Sequence, residues 1–224
     1  MKKAAAAEDL SAKKELALQV IDRLKTEYPD AACTLDYDHA WQLLVSVRLA
    51  AQCTDARVNI VVEDLFAKYP SVAALAAAEP EEIEAIVKPC GLGHSKARDI
   101  SACMRMLRDK YDCKVPTTFE ELLSLPGVGR KSANLIMGDV FGKPAIVTDT
   151  HCIRLCNKIG LVDGIKEPQK VEMALWKIIP PEEGSDLCHR FVMHGRAVCN
   201  ARKPECEKCC LRDICRYARE NAAT

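Results

Sequence analysis

The sequence predicts an all-α fold. Apolar residues recur with helical spacing along nearly the whole chain of 224 residues, as at Leu16, Val20 and Leu24. No segment shows the strict alternation of apolar and polar residues that is typical of a half-buried strand. Capping side chains or prolines stand where many of the predicted helices begin. At about 150 residues per domain, the length indicates one large domain or two small ones.

Local signals define the individual helices. The first contains Leu16 to Leu24 and ends at Tyr28-Pro29. Later helices are predicted to start at capping residues or at prolines, which suit a first helical turn. Those starts are Thr54, Ser71, Pro80, Ser95 and Thr118. The remaining helices are predicted over 41–51, 130–141, 150–159, 168–179 and 185–198, and the helix from Ser95 reaches 111.

The composition excludes several classes of protein. Lys and Arg total 32, as do Asp and Glu, so any surface for a polyanion must concentrate positive charge locally. The 13 cysteines are odd in number in a chain of this length, which argues against a secreted disulfide scaffold and for reduced thiols in a cytoplasmic protein. The sequence has neither a membrane-spanning apolar run nor the apolar core of a signal peptide, so no membrane association is expected.

Four cysteines near the C-terminus have the spacing of a metal-ligand set. Cys199, Cys206, Cys209 and Cys215 fall within 17 residues as C-x6-C-x2-C-x5-C. Soft thiolates suit either zinc or an iron–sulfur cluster, and the spacing by itself leaves both open. Cys210 adjoins the set and could compete as a ligand. The other eight cysteines show no ligand spacing and are interpreted as small core residues.

A glycine-containing turn separates two predicted helices at Leu125-Pro126-Gly127-Val128-Gly129. Glycine leaves backbone N–H groups unshielded, and the adjoining N-terminus of the helix from Arg130 favours an anion, which predicts a phosphate site. Lys131 lies just inside that helix. The helix dipole, the neighbouring Arg130 and burial are expected to favour its neutral amine, which Schiff-base chemistry requires. A plain turn and an exposed lysine are the alternatives.

Asp149 stands in Val-Thr-Asp-Thr-His at 147–151. If the chain turns back near 142–144, this carboxylate could lie close to Lys131 and accept a proton or stabilise positive charge. An Asp immediately before a helix is equally typical of an N-cap. The sequence leaves both interpretations open.

Taken together, these motifs resemble the endonuclease III family of bifunctional DNA glycosylases and AP lyases. The resemblance is carried by LPGVGRK at 125–131, DTH at 149–151, HGR at 194–196, AQCTD at 51–55 and the four spaced cysteines. It runs from about residue 15 to 217. It implies two helical domains with a DNA cleft between them. Residues 33–143 would form a six-helix barrel with the helix–hairpin–helix at about 118–141, and residues 1–32 with 144–224 would form a four-helix domain around a [4Fe–4S] cluster.

The resemblance also implies roles for individual residues. Lys131 would be the nucleophile and Asp149 its catalytic partner. Gln52 and Leu92 would enter the gap left when a damaged base leaves the duplex, and His151 would line the base pocket. The remaining DNA-binding candidates are Gly127, Gly129, Arg130, Arg202 and Lys203, and the cluster ligands are Cys199, Cys206, Cys209 and Cys215.

The implied activity is base excision repair. The enzyme would remove oxidised pyrimidines from double-stranded DNA and cut the strand at abasic sites by β-elimination through a lysine Schiff base. A monomeric, cytoplasmic, nucleoid-associated protein is expected. Two alternatives stay open: a monofunctional or mismatch glycosylase of the same superfamily, and a non-enzymatic helix–hairpin–helix DNA-binding module with structural zinc.

Overall fold

The computed structural model describes residues 2–222, and within that range the chain is helical with no strand. The all-α prediction is therefore confirmed. No helix in this range is long and apolar enough to cross a membrane. The helices are α1 Lys2–Glu27, α2 Ala40–Leu49, α3 Asp55–Lys68, α4 Val72–Ala77, α5 Pro80–Val87, α6 Gly93–Tyr111, α7 Phe119–Ser124, α8 Arg130–Asp139, α9 Thr150–Ile159, α10 Pro168–Leu175, α11 Gly184–Ala197 and α12 Arg216–Ala222.

The predicted helix starts are largely correct because the capping side chains make the expected hydrogen bonds. Thr54 accepts from the Arg57 amide, Ser71 from the Ala74 amide and Thr118 from the Glu121 amide. Each of these oxygens satisfies one of the amide groups that a helix start leaves without an intrahelical acceptor. The helix predicted from Ser95 begins two residues earlier, at Gly93.

Three helix ends differ from the prediction by two residues or more, and one whole helix is additional. Helix α2 ends at Leu49 rather than at residue 51. Helix α10 ends at Leu175, because the next residues make i to i+3 bonds, such as Ile178 N–H to the Leu175 carbonyl. Helix α8 ends at Asp139. Helix α12 was not predicted, since its sequence RYARENA lacks a run of apolar residues.

The chain divides into two compact units. One comprises residues 33–142 and contains α2 to α8; we call it the central unit. The other comprises residues up to 32 together with those from 143 and contains α1 and α9 to α12; we call it the terminal unit. The assignment of these units as a barrel domain and a cluster domain stays a prediction.

The central unit is organised around α2 and α6. Helix α6 packs against α4 and α5, and α2 packs against α3, α6 and α8. Each fully buried Leu, Ile or Met side chain contributes about 1.5–3 kcal/mol to folding. The core includes Leu43, Leu49, Leu65, Leu75, Ile83, Ile100, Met104, Leu107, Leu122 and Ile136.

In the terminal unit, α11 packs against both α1 and α9, and α12 packs against α9. The buried apolar residues come from all four helices and include Val20, Leu24, Leu155, Phe191 and Ala218. Gly195 permits the close approach of α11 to α9, since any Cβ there would collide with the His151 ring. The HGR segment therefore has a packing role in this unit.

The turn at 125–129 rests on an ion pair between α2 and α6. Nε of Arg48 donates to one carboxylate oxygen of Asp99 at 2.9 Å, and Nη2 lies 2.7 Å from the same oxygen. Gly127 lies directly over this pair with φ +76°. A Cβ at Gly127 would come within 2.9 Å of Asp99 Cβ and 3.1 Å of Arg48 Cδ. The turn can approach the Arg48 and Asp99 side chains this closely only because residue 127 is glycine.

We expect Gly127→Ala to destabilise the protein by about 1–3 kcal/mol, because the new Cβ meets a held ion pair at a left-handed backbone position. Gly129→Ala is the matched control: Gly129 has φ −99°, and a Cβ there meets nothing within 4 Å. Urea unfolding of the two variants checks the difference. Equal stability losses would show that the contact beneath Gly127 does not constrain the turn.

Candidate functional site

The turn between α7 and α8 exposes backbone at the start of a helix. Leu125 is buried and anchors the turn, whereas Gly127 and Gly129 are exposed. Gly129 is the N-cap residue of α8 and has no side chain to cover the first amide groups. Such amide groups lie at the positive end of the helix dipole. The turn therefore has the features of an anion site that suits a phosphate.

Lys131 is the second residue of α8 and is exposed. The expectation that it is buried is wrong, because the buried face of α8 begins at Ala133 and Asn134 instead. Lys131 lies at the N-terminus of α8, directly after Arg130. The Arg130 guanidinium lies over the Phe119 ring, 5.0 Å from its centroid. An exposed lysine beside an anion site can reach a bound strand without any rearrangement of the core.

Asp149 is the N-cap of α9. Its Oδ1 accepts a hydrogen bond from the Cys152 amide at 2.7 Å, and the residue is partly buried. The capping interpretation is thus confirmed. A carboxylate has a second oxygen, so capping does not exclude a part in chemistry. Lys131 belongs to the central unit and Asp149 to the terminal unit.

Buried thiols lie beneath the start of α9. Cys152 Sγ is 3.9 Å from Cys156 Sγ, and Cys188 Sγ accepts from the Val147 amide at 3.2 Å. A hydrogen bond with Cys156 and burial hold the pKa of Cys152 well above its usual value. These cysteines behave as core residues, as predicted. Cys113, by contrast, is exposed at φ 59°, so the core interpretation is wrong for that residue.

His151 is partly buried and contacts the Arg154 guanidinium. Its Nδ1 lies 3.2 Å from Nη2 of Arg154, and the same guanidinium donates to the Gly195 carbonyl at 3.2 Å and to the Cys199 carbonyl at 2.8 Å. Arg154 thereby connects His151 to the segment where the spaced cysteines begin. This arrangement favours an orienting role for His151 over proton transfer.

Gln52 and Leu92 are exposed and share an unusual backbone conformation. Their φ angles are +57° and +51°, in the left-handed region that residues other than glycine rarely adopt. Leu92 has 57% of its side chain exposed, which is high for a large apolar residue. Both lie in the central unit, in the loops that follow Leu49 and Cys90. Strained, exposed residues of this kind cluster at functional sites.

A buried lysine joins those two loops, and sequence reasoning did not single it out. Lys96 is fully buried, and its Nζ donates to the Leu49 carbonyl at 2.8 Å and to the Cys90 carbonyl at 2.9 Å. Burial lowers its pKa. The signal was present in the sequence, because Lys96 lies at helical spacing from the buried Ile100, Cys103 and Leu107 and so belongs to the inner face of α6.

The four spaced cysteines all belong to the terminal unit. Their positions are linked by backbone hydrogen bonds, including Cys199 N–H to the His194 carbonyl at 2.8 Å and Cys209 N–H to the Cys206 carbonyl at 3.2 Å. The Leu211 amide donates to Cys209 Sγ at 3.4 Å, and His194 Nε2 lies 3.3 Å from the same sulfur. Burial raises the pKa of Cys209 to about 12.

This donor set fits an iron–sulfur cluster. All four candidate ligands are thiols, and the Leu211 amide donates to one of the sulfurs, as in the outer shell of a thiolate site. As placed, no three His, Cys, Asp or Glu side chains within residues 2–222 form an assembled metal-binding group. The free-energy cost of burying these thiols as thiolates is offset when a metal centre binds them.

The loop between Cys199 and Cys206 presents two basic residues. Arg202 and Lys203 are exposed, and the loop is closed by a hydrogen bond from the Glu205 amide to the Val198 carbonyl at 3.0 Å. Lys208 pairs with Glu205, and Arg212 pairs with Glu207. Within residues 2–222, Arg202 and Lys203 make no such ion pair. The loop tip therefore presents two basic side chains that no carboxylate of the described residues pairs with.

The chain is similar to known proteins over most of its length. Residues 45–181 match the family described as HhH-GPD superfamily base excision DNA repair protein. The endonuclease III of Synechocystis sp. is 42% identical over 207 residues, which cover 92% of this chain and 94% of the relative.

Two solved structures are also similar, each with 40% sequence identity and a TM-score of 0.88. One is a non-covalent endonuclease III–DNA complex, with 94% of this chain and 99% of that chain covered. The other is a trapped endonuclease III–DNA covalent intermediate, with 93% and 98% covered. On these grounds the chain belongs to the endonuclease III family of the HhH-GPD base excision DNA repair proteins.

Proposed function

We propose that this base excision repair DNA glycosylase and AP lyase removes oxidised pyrimidines from double-stranded DNA and cuts the strand through a Schiff base on Lys131. The observation that carries the proposal is the position of Lys131, exposed in the first turn of α8 beside the exposed glycines of the anion site. A lysine placed there meets a sugar whose phosphate occupies the turn. The trapped covalent intermediate of a relative that is 40% identical supports a covalent route.

The first step is extrusion of the damaged base. A base within a duplex is inaccessible to an amine, so the nucleotide must leave the stack. Gln52 and Leu92 are exposed and held in a fixed conformation, which suits side chains that fill the resulting gap. An apolar wedge of this kind offsets unstacking, which costs a few kcal/mol per step. Arg202 and Lys203 add phosphate contacts that position the duplex without reading its sequence.

The covalent step follows from a neutral amine at Lys131. Its nitrogen attacks C1′, the bond from C1′ to the base breaks, and the base leaves with the electron pair and a proton. The C1′–O4′ bond then breaks, O4′ takes up a proton, and the nitrogen lone pair forms the C=N bond of an iminium ion. Loss of a proton from C2′ then expels the 3′ phosphate and cuts the strand, and water releases the lysine by hydrolysis.

Asp149 is proposed to assist that step while it caps α9. One carboxylate oxygen is engaged by the Cys152 amide, and the other can accept a proton or face the positive charge that develops on the sugar. The cap holds the carboxylate in one orientation, which is a requirement for electrostatic catalysis. His151 is assigned to orientation of the extruded nucleotide.

Cys199, Cys206, Cys209 and Cys215 are proposed to hold a [4Fe–4S] cluster. When bound, the group supplies structure to the segment that carries Arg202 and Lys203, and no step of the reaction requires it. Cys210 adjoins the set, its carbonyl accepts a hydrogen bond from Arg23 at 2.9 Å, and it is not assigned as a ligand. We further propose that the protein acts as a monomer on chromosomal DNA in the cytoplasm.

Lys131→Ala is expected to abolish borohydride trapping on duplex DNA that contains thymine glycol or an abasic site, and to lower strand cleavage more than about a hundredfold. The reason is that only a Schiff base is reduced to a stable adduct. Lys114→Ala is the matched control, because Lys114 is an exposed lysine of the central unit that pairs with Asp112 outside the site. If the unmodified enzyme gives no adduct on either substrate while it still binds DNA, a monofunctional glycosylase or a binding module is favoured instead.

Asp149→Asn and Asp149→Ala separate capping from chemistry. Asn caps helices about as well as Asp, so the Asn variant should stay within about 0.5 kcal/mol of the original stability, whereas Ala should cost about 0.5–2 kcal/mol. Both variants lack the charge and should lower the single-turnover rate about a hundredfold or more. Urea unfolding and single-turnover cleavage are the two measurements. Full activity in the Asn variant would restrict Asp149 to capping.

Iron analysis distinguishes the two metal hypotheses. The purified protein should be brown and contain about four irons per chain. Cys209→Ala should lose that iron, while Cys210→Ala, the adjacent control, should keep it. A colourless protein that contains zinc would contradict the cluster assignment and favour a structural zinc site.

A further inference from the structure

We propose that Lys96 is a positioning residue that holds the Gln52 loop and the Leu92 loop in the arrangement needed to open the duplex. The inference rests on the proposed function, since it assigns Gln52 and Leu92 to the gap left by the extruded base. It depends on two hydrogen bonds. The buried ammonium group of Lys96 donates to the carbonyl of Leu49, at the end of α2, and to the carbonyl of Cys90, at the end of the turn before Leu92.

The two acceptors are backbone groups that otherwise lack partners in their helices. Leu49 ends α2, and Cys90 ends the short 3-10 turn over 88–90. Carbonyls at helix ends have no intrahelical donor, and they carry the negative end of the helix dipole. Lys96 Nζ donates to both, at 2.8 and 2.9 Å, so one cation caps two chain segments at once.

The proposed wedge residues lie two or three positions after the capped carbonyls in the sequence. Gln52 lies three residues beyond Leu49, and Leu92 lies two residues beyond Cys90. The Leu92 carbonyl also accepts from the backbone amide of Lys96 at 3.0 Å, so the same residue holds this loop by its main chain. Because both wedge residues occupy left-handed backbone conformations, each loop needs a fixed anchor to keep them there.

The cost of burying an ammonium group makes a packing explanation insufficient. A charged group that is fully buried is retained only where its environment pairs it. Lys96 has no solvent exposure, and an apolar side chain would fill the same position on the inner face of α6 without desolvating a charge. The Cys53 and Cys90 side chains also interact between the two loops. What the ammonium adds is a pair of charge-assisted hydrogen bonds to the main chain of both segments.

The decisive variant is Lys96→Met, which keeps an unbranched side chain and removes the ammonium group. The matched control is Lys110→Met, an exposed lysine of the same helix. Single-turnover cleavage is measured on an abasic site in fully paired DNA and on the same site inside a short unpaired bubble, which needs no wedge. We expect Lys96→Met to slow cleavage of the paired substrate at least about tenfold more than cleavage of the bubble. Lys110→Met should change neither.

A fluorescent base analogue placed opposite the lesion reports unstacking directly. The original enzyme should raise its fluorescence on binding, and Lys96→Met should bind with little rise. Leu92→Ala should show the same pattern, and adding it to Lys96→Met should cause little further loss, since the two residues act through one loop.

Equal slowing of the paired and bubble substrates, or additive losses with Leu92→Ala, would overturn the inference and leave Lys96 as a stability residue. If Lys96→Met does not fold, Lys96→Gln, which keeps one donor group, is measured in the same assays with an intermediate loss expected. Failure of the proposed function itself looks different, because the original enzyme would then cleave neither substrate.

Discussion

The junction between the end of α2 and the start of α6 is the constraint on which the proposed DNA-binding surface of the central unit depends. Two cations make it. Lys96 draws together the carbonyls of Leu49 and Cys90, and Arg48, one residue before Leu49, pairs with Asp99 one helical turn beyond Lys96. Lys96 is fully buried and Arg48 is partly buried. An unpaired charge in such a position costs far more free energy than it does on the surface. The junction therefore has one low-energy arrangement.

Three exposed features follow from that arrangement. The first loop presents Gln52, the second presents Leu92, and the turn that contains Gly127 rests on the Arg48–Asp99 pair. Their own apolar anchors are few and mostly small: Ala50 and Cys53 for the first loop, Cys90 for the second, and Leu125 and Val128 for the turn. A loop with few apolar anchors would ordinarily be free to move. Here polar contacts to a single junction add to those anchors and restrain all three features.

In the terminal unit, other contacts hold the candidate site residues in place. Asp149 is fixed by the cap it forms on α9, and His151 is fixed by Arg154 and by the glycine at 195 that lets α11 approach. Arg154 also donates to the Cys199 carbonyl, so the start of α9 and the cysteine segment share one guanidinium. A change in the cysteine segment can thereby reach His151 through one side chain.

Sequence reasoning succeeded where a local pattern determines a local structure. Thr54, Ser71 and Thr118 were predicted as helix starts because a cap needs only its own side chain and an amide three residues later. It failed for Lys131, whose exposure depends on which face of α8 meets α2 and α7. It also passed over Lys96, because a lysine in the polar segment Gly-His-Ser-Lys is typical of an exposed first turn. Only the inner-face spacing to Ile100 and Leu107 distinguishes it, and the acceptors that explain its burial lie 47 and 6 residues away.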